Sequence, residues 1–194
     1  KQDSEPLYGR TYLPRKFKTG IALCDDNCID VYDQDLGLLA VTRGDDLTGF
    51  NLLVGGGMGT TPSDDRCFPG LARRRAFGEV EHVLPGGTAV VLVQRDFGDR
   101  SDRRQARMKY LIHNWGLPKF KAKVEEYLEA AESICGVPAG TVPRCLPPPA
   151  AGDVTRHDDH LGWHEQGDGK WFLGLPIENG RVKDSGALRL KSAL

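Results

Sequence analysis

Four arginines, Arg100, Arg103, Arg104 and Arg107, fall at i, i+3, i+4 and i+7 within QRDFGDRSDRRQARMKY. A helix begun near Asp99 would line them up as one cationic stripe. Met108, Leu111, Ile112 and Trp115 form a second, apolar stripe, rotated by roughly a quarter turn at about 100° per residue. Such a helix buries one side and holds guanidinium groups at the rim of a cleft. There each group matches a carboxylate or phosphate with two bonds. Asp96, Asp99 and Asp102 are interleaved, so the alternative is a solvated basic face whose arginines pair with them. The stripe alone selects a large anion or nothing.

Lys16 and Lys18 lie two apart in TYLPRKFKTGIAL. In an extended chain they share one face, with Arg15, Phe17 and Thr19 on the other. Like charges so placed repel unless an anion lies between them. An exposed edge strand carrying lysines against aggregation explains them equally well. Gly55-Gly56-Gly57 ends an apolar run and offers bare backbone to a planar or anionic ligand. It lacks the last glycine of G-x-G-x-x-G, where Thr60 stands, and the G-K-[ST] of a P-loop. A flexible turn is its plainer reading. His157, His160 and His164 beside Asp158 and Asp159 have metal-ligand spacing, yet a loop running into a strand does not bring them to one point. Cys24-x-x-x-Cys28 is half of a metal or cluster motif without a second pair, which leaves two free thiols. Serine–histidine and cysteine–histidine nucleophile signatures are absent.

The chain must be large enough to position these groups, and 194 residues bury a real core in one domain or two. Lys+Arg 26 against Asp+Glu 27 gives no global field for nucleic acid or a membrane surface, so any cationic site is local. No apolar run approaches the ~18 residues of a membrane span. No basic-then-apolar leader opens the chain, so a mature or cut start is expected. Five thinly spread cysteines suit a reducing compartment better than a disulfide framework.

Among the elements, TYLPRKFKTGIAL reads as a strand entered at Pro14. Leu36 to Thr42 and Leu47 to Val54 read as strands joined by RGDD turn chemistry. Pro85, Gly86 and Gly87 are expected to break any helix, leaving Thr88 to Gln94 as a short strand or a late-starting helix. Pro118 suits a first helical turn, and Phe120, Val124, Leu128 and Ala131 share one face of an amphipathic helix. The Pro-rich passage Val142 to Asp153 continues neither helix nor sheet and reads as a linker. QGDG and ENGR then join strands, with Asn179-Gly180 the stronger hairpin signal. This divides the chain into an α+β domain at 1–141, a linker at 142–153 and an incomplete half-domain at 154–194, whose about 40 residues complete a sheet supplied elsewhere.

In order, YLPRKFKTGIAL, DNCIDVYDQDLGLLAV, GFNLLVGGGMG, QRDFGDRSDRRQARMKYLI-x-x-WG and DHLGWHEQGDGKWFLGLPIENGRVKD resemble the central part of the siroheme sulfite reductase hemoproteins, a family that includes assimilatory nitrite reductases. The resemblance implies an α+β fold, here its central siroheme-binding part followed by the start of a second ferredoxin-like repeat. It implies six-electron reduction of sulfite to sulfide at siroheme coupled to a 4Fe-4S cluster. It assigns Lys16 and Lys18 to the substrate anion and Arg15 to the neighbourhood of the macrocycle. Asn51 and Gly55, Gly56 and Gly57 are placed beside siroheme. Arg100 and Arg103 are placed on its carboxylates, with Arg95 and Lys109 in support. An electron donor (a ferredoxin or a flavoprotein) and the remainder of a reductase are the implied partners. The implied compartment is the cytoplasm, or the plastid of a photosynthetic eukaryote.

The sequence also departs from the family. The cluster cysteines, a C-x5-C pair followed by a C-x3-C pair, do not occur in it, and Cys24 and Cys28 stand in the wrong block to replace them. The family's N-terminal half, with further substrate-contacting arginines, is not among these residues. Pro85-Gly86-Gly87 interrupts a stretch that is helical in the family. A fragment or split subunit inactive by itself is the expectation; the competing one is a scaffold domain without siroheme.

Overall fold

The computed structural model describes residues 5–177, 180–185 and 188–193, which divide in sequence into two compact units, the first ending at His157 and the second beginning at Asp158. The first unit is built on a four-stranded mixed sheet in the order β1 (Thr19–Ala22), β2 (Leu36–Arg43), β3 (Asp46–Val54), β4 (Arg73–Glu79). β1 runs parallel to β2 and the other pairs are antiparallel. The β2–β3 hairpin forms as its sequence predicts, turning at Gly44 with φ +60° and carrying a bulge after Val41. The strand expected over TYLPRKFKTGIAL is shorter: only its last four residues, Thr19–Ala22, pair with the sheet.

Both faces of the sheet are covered, which is why β2 and β3 read as nearly unbroken apolar runs. Leu36 and Leu38 with Leu52 and Val54 meet α1 (Val80–Phe97) through Ala89, Val90, Leu92 and Val93. Leu39 and Leu53, one residue out of phase, pack on the opposite face with Ala22, Val31, Ala72 and Val154. α1 runs straight through Pro85, Gly86 and Gly87, all buried, so the expected break does not occur. A Cβ on Gly87 would stand 3.2 Å from Leu36 Cδ2, and one on Gly86 3.7 Å from Leu52 Cδ2. The two glycines let the helix settle closely on the sheet, and that packing outweighs a proline in the helix's second turn.

The predicted arginine helix is corrected. Residues 99–107 form a chain of turns, and α2 starts only at Met108, ending at Trp115. Asp99 Oδ1 accepts the N–H groups of Ser101 and Asp102 at 2.7 and 3.3 Å, and Asp102 Oδ1 accepts that of Arg104 at 2.9 Å. These local bonds offer the backbone an alternative to the helical ladder. The interleaved aspartates shape the loop. The apolar stripe survives: Met108, Leu111 and Ile112 are buried.

Phe120, Val124, Leu128 and Ala131 all face the core as expected. Their helix is interrupted at Tyr127 into α3 (Leu117–Glu126) and α4 (Leu128–Cys135). The Pro-rich passage belongs to the first unit and wraps it as an extended strap. Val142 and Leu146 are buried, and Asn51 exchanges two hydrogen bonds with Ala150, at 2.7 and 3.0 Å.

The second unit contains the antiparallel hairpin β5 (Gly162–Glu165) and β6 (Trp171–Gly174) around the predicted QGDG turn. The Asn179-Gly180 signal rests on residues 178–179, outside those described. No helix among the described residues is long and apolar enough to cross a membrane.

Candidate anion-binding cleft

Arg15 and Lys16, just before β1, face the loop carrying Asp102, Arg103 and Arg104 across a cleft of about 500 Å³. Gly59, Thr60, Thr61, Cys67, Arg107, Lys109 and Tyr110 complete its lining. That volume falls in the range of small-molecule sites. The cations divide into two kinds. Arg107 grips Asp35 with two parallel bonds, Nε–Oδ1 at 3.0 Å and Nη2–Oδ2 at 2.9 Å, and also donates to the Gly56 carbonyl at 3.2 Å. Lys109, 4% exposed, gives its ammonium protons to the carbonyls of Gly57, Gly59 and Phe68. Burial pulls its pKa down, with Arg107 adding to the effect. Arg104 Nη1 stands 4.0 Å from Asp64. By contrast, Arg15, Lys16 and Arg103 have no side-chain hydrogen bond or ion pair among the described residues.

Gly55, Gly56 and Gly57 lie beneath this cleft. Their N–H groups are already bonded, to the carbonyls of Asp35, Gln34 and Gly70 at 2.9, 2.9 and 2.8 Å. The run is therefore a buried, fixed turn and offers no free donors to a ligand. A Cβ on Gly56 would come within 2.3 Å of the Tyr32 carbonyl oxygen and 2.5 Å of that of Gln34, so the chain's own close packing requires glycine there. Gly55 takes φ +85°, a second reason of the same kind.

The sequence pattern described as the nitrite and sulphite reductase 4Fe-4S domain matches residues 1–131. The chain belongs to that family. It is 51% identical over 192 residues to the sulfite reductase [ferredoxin] of Synechococcus elongatus, covering 98% of this chain and 28% of that protein. It is 45% identical over 190 residues to the sulfite reductase [NADPH] hemoprotein beta-component of a Shewanella species, covering 98% of this chain and 31% of that protein. The structure of the NirA protein of Mycobacterium tuberculosis superposes with a TM-score of 0.54 at 33% identity, over 78% of this chain and 24% of that one. The chain thus spans about a third or less of these relatives.

In this nitrite and sulphite reductase chain, the candidate residues separate. Arg15, Lys16 and Arg103 share the cleft, and Lys109 helps build its wall. Lys18 does not line it: its ammonium meets Asp33 Oδ2 at 2.5 Å. The period-two picture of both lysines on one face fails because residues 15–18 precede the paired strand. Arg100 lies outside the lining, donating to the carbonyls of Thr11, Tyr12 and Arg95 at 3.1, 2.6 and 2.8 Å. Arg95 is engaged by Asp96 and by the Leu7 carbonyl. Asn51 is fully buried against Ala150 and holds the strap.

Asp33 and Asp35 were not singled out by sequence reasoning, although the D-Q-D spacing before an apolar strand was visible. Asp35 is fully buried and accepts the Lys18 N–H at 2.9 Å besides its Arg107 bonds. Burial pushes its carboxyl up in pKa, with Arg107 opposing. Asp33 also loses solvation, but its bonds to Lys18 and to the Met58 N–H hold it below its usual range. Cys67 and Tyr110 were missed as well. Their mutual hydrogen bond pushes the thiol down, while burial first and that bond second push the phenol up to about 12.

The cysteines do not form a four-sulfur set among the described residues. Cys24 bonds the Ala40 carbonyl, Cys67 lines the cleft and Cys135 meets Thr88 Oγ1. His164 stacks on Phe172 and reaches the Leu161 carbonyl at 3.0 Å.

Proposed function

We propose that this chain is the anion-binding part of a sulfite reductase that reduces sulfite to sulfide with six electrons, using siroheme and a 4Fe-4S cluster. The observation that carries the reading is the set of cations without a side-chain partner among the described residues, Arg15, Lys16 and Arg103, on one cleft whose other cations are occupied internally. The relatives' names as sulfite reductases support the substrate. The donor set fits an anionic cofactor bearing several carboxylates, since each guanidinium can donate two parallel N–H bonds to a carboxylate. When bound, siroheme supplies the electron transfer to sulfur. The chain's residues do the rest. Arg15 and Arg103 hold carboxylates, Lys16 draws in the oxyanion and offsets its charge, and Lys109 and Arg107 keep the wall rigid so that little reorganisation is needed. The cysteines present do not suit a four-iron cluster, whose ligands belong to another part of a reductase.

The electron donor is a ferredoxin or a flavoprotein. The test is the visible spectrum of the purified full-length protein, together with sulfite-dependent oxidation of reduced methyl viologen. A siroheme spectrum and sulfide formation are expected. A colourless, inactive full-length protein would favour the scaffold reading.

A further inference from the structure

Arg100 follows the end of α1, outside the cleft, and spends its guanidinium on backbone. Nη1 donates to the Thr11 carbonyl at 3.1 Å, and Nη2 to those of Tyr12 and Arg95 at 2.6 and 2.8 Å. One side chain thus joins two consecutive carbonyls of the N-terminal segment to the last turn of α1. Arg95 adds a second grip, from Nη1 to the Leu7 carbonyl at 3.0 Å. Pro14 lies against the helix end, since a Cβ on Gly98 would stand 2.6 Å from Pro14 Cγ. The clamped backbone is strained: Tyr12 takes φ +55°, a conformation that a bulky residue keeps only where its surroundings impose it. Only Leu13 and Pro14 separate Tyr12 from Arg15 and Lys16, which line the cleft. Pro14 has a fixed φ, and Leu13 is restricted by the proline after it. The hold on Tyr12 therefore passes to Arg15 and Lys16 through backbone with little freedom.

We propose that Arg100 is a positioning residue, clamping the Thr11–Tyr12 backbone to the end of α1 and so fixing the wall from which Arg15 and Lys16 face Arg103 across the cleft. The family resemblance places Arg100 on the cofactor's carboxylates; here its donors are taken by this chain's own backbone. Arg15 and Lys16 have no side-chain partner among the described residues, so the backbone that bears them decides where their charge stands. Cations placed before an anion arrives need no reorganisation when it does. Arg100 touches no anion in this account and acts through its two neighbours on the cleft. The kinetic consequence rests on the sulfite-reducing reading above; the clamp does not.

The test uses the full-length reductase carrying Arg100→Gln. Amide hydrogen exchange read by peptide mass spectrometry reports the clamp itself. Exchange across residues 9–16 is expected to rise about tenfold, the scale of one charge-assisted hydrogen bond, while the β2–β3 hairpin is unchanged. Unchanged exchange at residues 9–16 overturns the proposal. Sulfite kinetics report the consequence. KM is expected to rise about tenfold with kcat within about twofold and the pigment retained, and Arg100→Gln to add no further loss in an Arg15→Gln, Lys16→Gln background. An unchanged KM, or losses that multiply in the combined variant, overturn it. Loss of pigment in Arg100→Gln alone returns the residue to the cofactor's carboxylates and overturns it too. If Arg100→Gln does not fold, Arg100→Lys serves instead, since an ammonium offers one nitrogen where the clamp uses two. Faster exchange at residues 9–16 is expected there as well, and wild-type exchange contradicts the role. A wild-type reductase without sulfite turnover would defeat the functional reading, while the exchange result would still decide whether Arg100 holds the segment.

Discussion

Arg107 and Asp35 face each other through two parallel hydrogen bonds of 3.0 and 2.9 Å, with the carboxylate fully buried and only 13% of the arginine side chain exposed. The pair joins the loop before α2 to the turn before β2, and Asp35 adds the N–H of Lys18 to the junction. Removing one partner leaves the other charge without its counterpart in a site that water hardly reaches. Asp35→Ala is expected to lower unfolding free energy by about 3 kcal/mol, measured as a shift in the urea midpoint. A change below about 0.5 kcal/mol, as for an ordinary surface site, would show that the pair does not hold the cleft together.

The glycine turn offers a contrast within four residues. A Cβ on Gly56 meets backbone oxygens at 2.3 and 2.5 Å, whereas one on Gly59 meets nothing within 4 Å. Backbone cannot swing aside as a side chain does. Gly56→Ala is expected to cost about 3 kcal/mol or more, and Gly59→Ala to fall within about 0.5 kcal/mol of wild type. Thermal melts of the two variants check this, and equal melting temperatures would contradict the account of a packed turn.

Glu132, on α4, is 2% exposed and accepts the N–H groups of Val142 and Gly140 at 2.7 and 2.8 Å. Those bonds hold its carboxyl below the usual range against the cost of burial, the Val142 bond contributing most. Since the folded pKa lies below the unfolded one, its stabilisation is fully present above the unfolded value, about 4.3. It is lost as the pH falls toward and through the folded value. Glu132→Gln is expected to be destabilised by about 1 kcal/mol at pH 7, with the difference from wild type closing below about pH 4. Urea titrations at the two pH values read it; a pH-independent gap would refute the linkage.

Much of the first unit was legible because its signals are local or strictly periodic. The β2–β3 hairpin follows from RGDD between apolar runs, and the buried face of α3 and α4 follows from Phe120, Val124, Leu128 and Ala131. Three features were not legible, each because a tertiary contact or side-chain bond overrides the local signal. Pro85-Gly86-Gly87 spells a helix break, but packing of the glycines on Leu36 and Leu52 keeps α1 continuous. Arg100 to Arg107 have helical spacing, but Asp99 and Asp102 divert the backbone into turns. The Pro-rich strap resembles a linker until Asn51 and the buried Val142 and Leu146 tie it down. Within the candidate cleft, sequence pointed to cationic segments, and Arg15, Lys16, Arg103 and Lys109 among them line one hollow. Sequence could not tell Arg103, which is unpaired among the described residues, from Arg100, whose guanidinium is bound to three backbone carbonyls.

That division is the most direct point of attack. In the full-length protein, the ratio of siroheme absorbance to protein is to be measured for the triple variant Arg15→Gln, Lys16→Gln, Arg103→Gln and, in parallel, for Arg100→Gln. The triple variant is expected to lose most of its siroheme and at least tenfold in sulfite kcat/KM, whereas Arg100→Gln retains the pigment. Full siroheme occupancy with an unchanged sulfite KM in the triple variant would contradict the assignment of this cleft.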